Sequence, residues 1–154
     1  MAEYGYNELQ TIQPGASAIL QNLRPCTHRP QLVLHENETA NITLRGIVNN
    51  MCCPMPEYKV HFSGNIAVPE GGTAGEIQLA LALNGEIVPL TIAAATPAAA
   101  EEFWHVSGTK SFRVPVGCCA TVAVENASVS PTPATTPAPA IVVRNLNVTV
   151  DRTA

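Results

Sequence analysis

Apolar and polar residues alternate with a period of two over much of the chain, in short runs bounded by Gly, Pro and Asn. That period puts successive side chains on opposite faces of a strand. It predicts strands at Ser17–Gln21, Gln31–Leu34, Asn41–Val48, Tyr58–Ala67, Glu76–Leu83, Glu86–Ile92, Phe103–Val106, Lys110–Val114, Cys119–Val124 and Ile141–Val150. Pro14-Gly15, Gly71-Gly72, Asn84-Gly85, Ser107-Gly108 and Gly117 supply the turns. Asn84-Gly85 is the strongest of these signals, because a two-residue hairpin turn needs φ > 0 at both central positions.

In the hairpin that Asn84-Gly85 closes, Ile77, Leu79, Leu81 and Leu83 share one face, the expected core face. Gln78, Ala80 and Ala82 share the other. A solvent-facing strand ordinarily carries Lys, Glu or Thr there, so this small, smooth face is a candidate subunit interface. Helix is scarce: AAATPAAAEEFW allows one turn, which Pro97 limits. About nine or ten short strands in this length predict an all-β fold, a two-sheet antiparallel jelly-roll sandwich. One domain is expected over residues 1–154, with a short N-terminal segment at 1–12 and a Pro/Thr-rich stretch at 128–140. That stretch reads as a surface loop, or as an extended tether that carries the terminal strand to a neighbouring subunit.

Composition sharpens the expectation of assembly. Hydrophobic residues make up 46% of the 154 residues and charged ones only 13%, about half the ordinary share. A chain so poor in charge is expected to hide surface against other copies of itself. The formal net charge of −4 and the lack of any Lys/Arg cluster argue against nucleic-acid binding. No apolar run is long enough to insert in a membrane as a helix. The N-terminus has neither the basic nor the apolar region of a secretory signal, so an extracellular position is expected to be reached by lysis or a dedicated route.

Five cysteines are the most distinctive residues: Cys26, the pair Cys52-Cys53 and the pair Cys118-Cys119. Strand alternation predicts that one of Cys118 and Cys119 faces the core and the other faces out. An odd count leaves at least one thiol free or bonded to another chain. Three readings stand: inert buried thiols, disulfides within or between subunits, and a metal site built from Cys26, His28, Cys52 and Cys53.

No nucleophile elbow, phosphate loop or zinc-protease motif occurs, and His28, His35, His61 and His105 stand in no catalytic pattern. Neither an enzyme nor a cofactor is expected. Trp104 and Tyr58 are the candidate stacking groups if the chain binds a glycan. Sequons at Asn37, Asn41, Asn126 and Asn147 receive no function.

The segments Phe62–Pro97, Phe103–Asn126 and Asn145–Val150, with the opening NELQTIQPGASAIL, together resemble the C1q/TNF-like trimeric jelly rolls. The likeness is to the versions on Firmicutes spore surfaces and on prophage or virion surfaces. It implies a homotrimer serving as a decoration, fibre or tail-tip head, with copies of itself, other surface proteins or a host glycan as partners. The chain departs from the spore-surface pattern in lacking a collagen-like stalk. A looser resemblance, to disulfide-linked spore-appendage subunits, implies a repeating subunit of an extracellular filament.

Overall fold

The computed structural model describes residues 1–25, 31–47, 55–130 and 137–153. Twelve strands form among them. They are β1 (Ala2–Tyr6), β2 (Gln10–Ile12), β3 (Gln21–Arg24), β4 (Val33–His35), β5 (Ile42–Arg45) and β6 (Glu57–Ala67). Then follow β7 (Ile77–Leu83), β8 (Glu86–Ile87), β9 (Ala93–Ala95), β10 (Trp104–Arg113), β11 (Cys119–Asn126) and β12 (Ile141–Arg152). The first sheet runs β10-β6-β12-β1-β3, with β2 beside β12; the second runs β4-β5-β11-β7-β8, with β9 beside β7. Every pairing is antiparallel.

The core lies between the sheets and is built by alternation. Along β6, Tyr58, Val60, Phe62 and Ile66 are buried, while Lys59, His61, Ser63 and Asn65 take the other face. On β7, Ile77, Leu79 and Leu81 are buried against Val122 and Val124 of β11 and the inward residues of the first sheet. At Asn84-Gly85 both φ angles are positive, 51° and 86°, as the hairpin requires. The Asn84 amide oxygen also accepts the Thr121 N–H at 2.9 Å, which ties the hairpin tip to β11.

Several expectations are corrected. The two strands expected either side of Ser107-Gly108 are one continuous strand, β10. Gly108 is not at a turn. A Cβ there would meet the Phe62 ring at 2.5 Å and the Thr91 carbonyl at 2.9 Å, so the glycine admits close packing. The strand expected at Glu86–Ile92 stops at Ile87 and becomes a 3-10 turn at Pro89–Thr91, since proline cannot donate to a ladder. The helical turn expected in AAATPAAAEEFW is absent, and its first residues form β9.

The N-terminal segment 1–12 contributes two strands to the first sheet: β1 lies between β12 and β3, and β2 pairs with β12. The expected strand Ser17–Gln21 is instead a pair of isolated bridges, Ser17 to Glu125 and Leu20 to Thr39, leading into β3. Strand β12 pairs with β1, β2 and β6 of its own chain, as the surface-loop reading of the preceding stretch expects. Of the Pro/Thr-rich stretch, residues 131–136 lie outside the described residues.

Candidate assembly surfaces

The second sheet's outer face was expected to dock a neighbour through Gln78, Ala80 and Ala82. Ala80 and Ala82 do lie opposite the core-facing Leu79 and Leu81. They are 0% and 1% exposed within the single chain, so their methyls offer a neighbour almost no new area to cover. Their row continues through Glu125 and Ala123 of β11, the register partners of Ala80 and Ala82. Half-burial among these neighbours pushes the Glu125 carboxyl above its ordinary value.

The outer face of the first sheet differs in kind. Cross-strand rows there read Ser111, Lys59 and Asp151; Thr109, His61, Thr149 and Glu3; and Ser107, Ser63 and Asn147. His61 Nδ1 lies 2.7 Å from Thr109 Oγ1, and the Asn147 amide donates to Glu3 Oε1 at 2.7 Å. Small hydroxyl, amide and imidazole groups dominate, with neither sign of charge in excess. The face is polar, able to hydrogen-bond without repelling another copy.

Exposed apolar side chains occur at several places among the described residues, and three of them lie along one edge of the sandwich. There the 3-10 turn and β9 pack against β10, the edge strand of the first sheet. Leu90 on that turn is 82% exposed, Ile92 directly after it 39%, and Trp104 at the start of β10 46%. Periodicity could not reveal this edge, because the turn interrupts the alternation at Pro89.

The two candidate stacking groups separate. Tyr58 is fully buried, and its hydroxyl donates to the Arg45 carbonyl at 2.6 Å, so it cannot stack on a glycan. Trp104 stays half-exposed, and its indole N–H donates to Glu102 Oε1 at 3.0 Å, which fixes the ring. Nearby, the Arg144 guanidinium lies 4.0 Å from the centre of the Phe103 ring.

Both Cys118 and Cys119 are exposed and free, which corrects the expectation that one faces the core. Strand β11 begins only at Cys119, so Cys118 belongs to the preceding turn, where Gly117 has φ of 77°. Alternation does not apply across that boundary. Cys26, Cys52 and Cys53, and with them the candidate metal site that includes His28, lie outside the described residues.

A shallow depression of about 540 Å³ opens beside His35, lined among others by Tyr4, Val33, Glu36, Thr39 and Thr43. Its walls mix apolar side chains, among them the buried Tyr4 and Val33, with polar groups such as Glu36, Thr39 and Thr43.

Comparison with known proteins gives the fold a context. No family model matches the chain, and no curated protein matches it either. Solved structures do. The Eiger TNF of S. frugiperda superposes with a TM-score of 0.59 at 11% identity, covering 99% of this chain and 91% of that one. The globular domain of zebrafish complement 1qA superposes with a TM-score of 0.53 at 14% identity, covering 97% and 96%. At these identities the likeness is one of fold, and the fold is a C1q/TNF-like jelly roll.

Proposed function

We propose that this chain is a non-catalytic structural or adhesive subunit that assembles as a homotrimer on the outside of a virion or prophage-derived particle. The observation that carries the reading is the apolar edge of Leu90, Ile92 and Trp104 on a chain with only 13% charged residues. Fully burying one leucine side chain contributes about 1.5–3 kcal/mol, so covering this edge is a substantial driving force. The polar, sparsely charged outer face of the first sheet is the complementary surface. An edge of one copy on the face of the next is a heterologous contact, and such contacts close into a ring when the rotation allows. Closure at three agrees with the resemblance to trimeric jelly rolls. The virion setting likewise rests on that resemblance.

Sedimentation of the reduced chain tests the assembly. The expected species has three times the 16.2 kDa chain mass and dissociates on Leu90→Glu. A wild-type chain that stays monomeric at micromolar concentration sinks the reading. The second reading, a disulfide-stabilised extracellular filament, is favoured by one observation, the two exposed thiols at Cys118 and Cys119.

A further inference from the structure

Cys118 and Cys119 stand on a turn with a fixed base. The Cys118 N–H donates to the Pro115 carbonyl at 3.0 Å and the Gly117 N–H to the Gly46 carbonyl at 3.1 Å. The Gly46 N–H donates in return to the Cys118 carbonyl at 2.9 Å. A Cβ on Gly46 would meet the carbonyl oxygens of Pro115 and Cys118 at 2.0 and 2.7 Å, so the turn rests directly on the backbone that follows β5. The main chain of the turn is therefore tied down at Gly117 and Cys118, and both thiols stand exposed on it.

The two thiols are poor partners for one another. Adjacent Cα atoms are about 3.8 Å apart, short of the roughly 4.4–6.8 Å that a disulfide spans. Five cysteines also cannot all pair within one chain. The number of exposed thiols then decides what oxidation can build. One per copy stops at a dimer. Two per copy give each copy a valence of two, so it can bond one neighbour through Cys118 and another through Cys119.

We infer that the Cys118-Cys119 turn is a covalent cross-linking point that joins copies of this chain in series, Cys118 of one copy to Cys119 of the next, in oxidising surroundings. The inference rests on the self-assembly proposed above. A small-molecule disulfide of the glutathione type is the oxidant. The first protein thiolate attacks it, forms a mixed disulfide and releases one small thiol. The thiolate of the next copy attacks the protein sulfur of that mixed disulfide and releases the second small thiol. Two protein thiols lose two protons and two electrons, which the reagent takes up as its two thiols. The link is head-to-tail, so it closes a ring or extends a filament according to the rotation between copies.

The test uses the full chain with Cys26, Cys52 and Cys53 replaced by Ser, incubated with oxidised glutathione and run on a non-reducing denaturing gel. A ladder extending beyond the dimer and collapsing with reductant is expected. Adding Cys118→Ser or Cys119→Ser should each cut the ladder to a dimer, and adding both should leave monomer alone. A parent that stops at the dimer overturns the serial link. If the parent does not fold, disulfide-linked peptides from the oxidised wild-type chain decide. Cys118 joined to Cys119 between copies supports the link, and either residue joined to Cys26, Cys52 or Cys53 overturns it. Sedimentation under reducing conditions reports separately on assembly, so a reduced trimer that never cross-links removes this inference and leaves the trimer standing.

Discussion

His35 Nδ1 lies 2.6 Å from Asn22 Oδ1, a hydrogen bond that ties β4 of the second sheet to β3 of the first. The other ring nitrogen, Nε2, lies 3.0 Å from the Thr39 carbonyl, and the Tyr4 ring sits with its centroid 4.7 Å away. The imidazole thus bridges the edge of the sandwich beside two further links, the Asn22 N–H to Asn37 Oδ1 hydrogen bond and the Leu20–Thr39 bridge. Truncating it leaves a part-buried amide and a carbonyl to be satisfied by water. His35→Ala is expected to cost about 1–2 kcal/mol, a fall in Tm of roughly 2–8 °C for a domain of this size. Asn22→Ala should cost less once His35 is gone, and a double-mutant cycle in urea checks that coupling.

Asn126 is a buried polar residue whose side chain makes three hydrogen bonds. Its amide donates to the carbonyls of Ile12 and Pro139, both at 3.0 Å, and its Oδ1 accepts the Ser128 N–H at 3.0 Å. The residue is 1% exposed. One side chain therefore pins β2 and both ends of the Pro/Thr-rich stretch. Asn126→Ala is expected to lose about 2–4 kcal/mol, since three buried backbone groups lose their partner. Asn126→Asp should be no better, because a carboxylate cannot donate to two carbonyls. Denaturant midpoints for the two variants check both statements, and an Asp variant as stable as wild type contradicts them.

The fold was legible because strand alternation and the Asn84-Gly85 turn are local signals. Ile77, Leu79 and Leu81 declare the core face of β7 by spacing alone. What stayed hidden depends on partners distant in sequence. The burial of Tyr58 under the Arg45 and Leu32 carbonyls cannot be read from its neighbours. Strand β1 was missed because Gly5 interrupts its pattern, yet Gly5 is required where a Cβ would meet the Leu146 carbonyl at 2.8 Å. The candidate interface was read from side-chain size, which reports smoothness but not residual exposure. The apolar edge that replaces it as the leading surface lies on a turn, where neither periodicity applies.

Gly108 supplies a test of the packing that makes β10 continuous. Its missing side chain lets the Phe62 ring and the Thr91 carbonyl close over the strand. Gly108→Ala is expected to destabilise by about 1–3 kcal/mol through overpacking. The 3-10 turn should move with it, so the chemical shifts of Leu90 and Thr91 should change more than those of β5. An unperturbed 3-10 turn would contradict the contact.

Glu125 gives a pH dependence whose sign follows from its raised pKa. The folded carboxyl holds its proton to higher pH than the unfolded one does, because half-burial disfavours the anion. Over the window from about pH 4 upward, the native state binds more protons than the unfolded state, so stability falls as pH rises through the folded pKa. Above that window the cost is fully present. Glu125→Gln should remove this part of the slope and be more stable than wild type at neutral pH, with the difference vanishing in acid. Urea midpoints measured across the acid range check it, and parallel curves for the two chains contradict it.

Trp104 separates assembly from glycan binding, because the two readings ask different things of the same ring. Its indole N–H is fixed by Glu102, so the ring presents one defined face at the edge that also carries Leu90 and Ile92. If that edge packs against another copy, the trimer must weaken both on Trp104→Ala and on Leu90→Ala, since each removes area from one contact. The expected loss is about 1–3 kcal/mol for the tryptophan, a factor of roughly 5–150 in association. If the ring instead serves as a glycan platform, Leu90→Ala should leave sugar binding intact while Trp104→Ala abolishes it. Glu102→Gln is the finer probe: its amide oxygen can still accept from the indole, so assembly should persist. Glu102→Ala frees the ring and should weaken whichever contact depends on its orientation. Sedimentation and a glycan array run on the same four variants distinguish the cases, and the expected pattern is parallel loss of trimer in the Trp104 and Leu90 variants with no sugar signal in any.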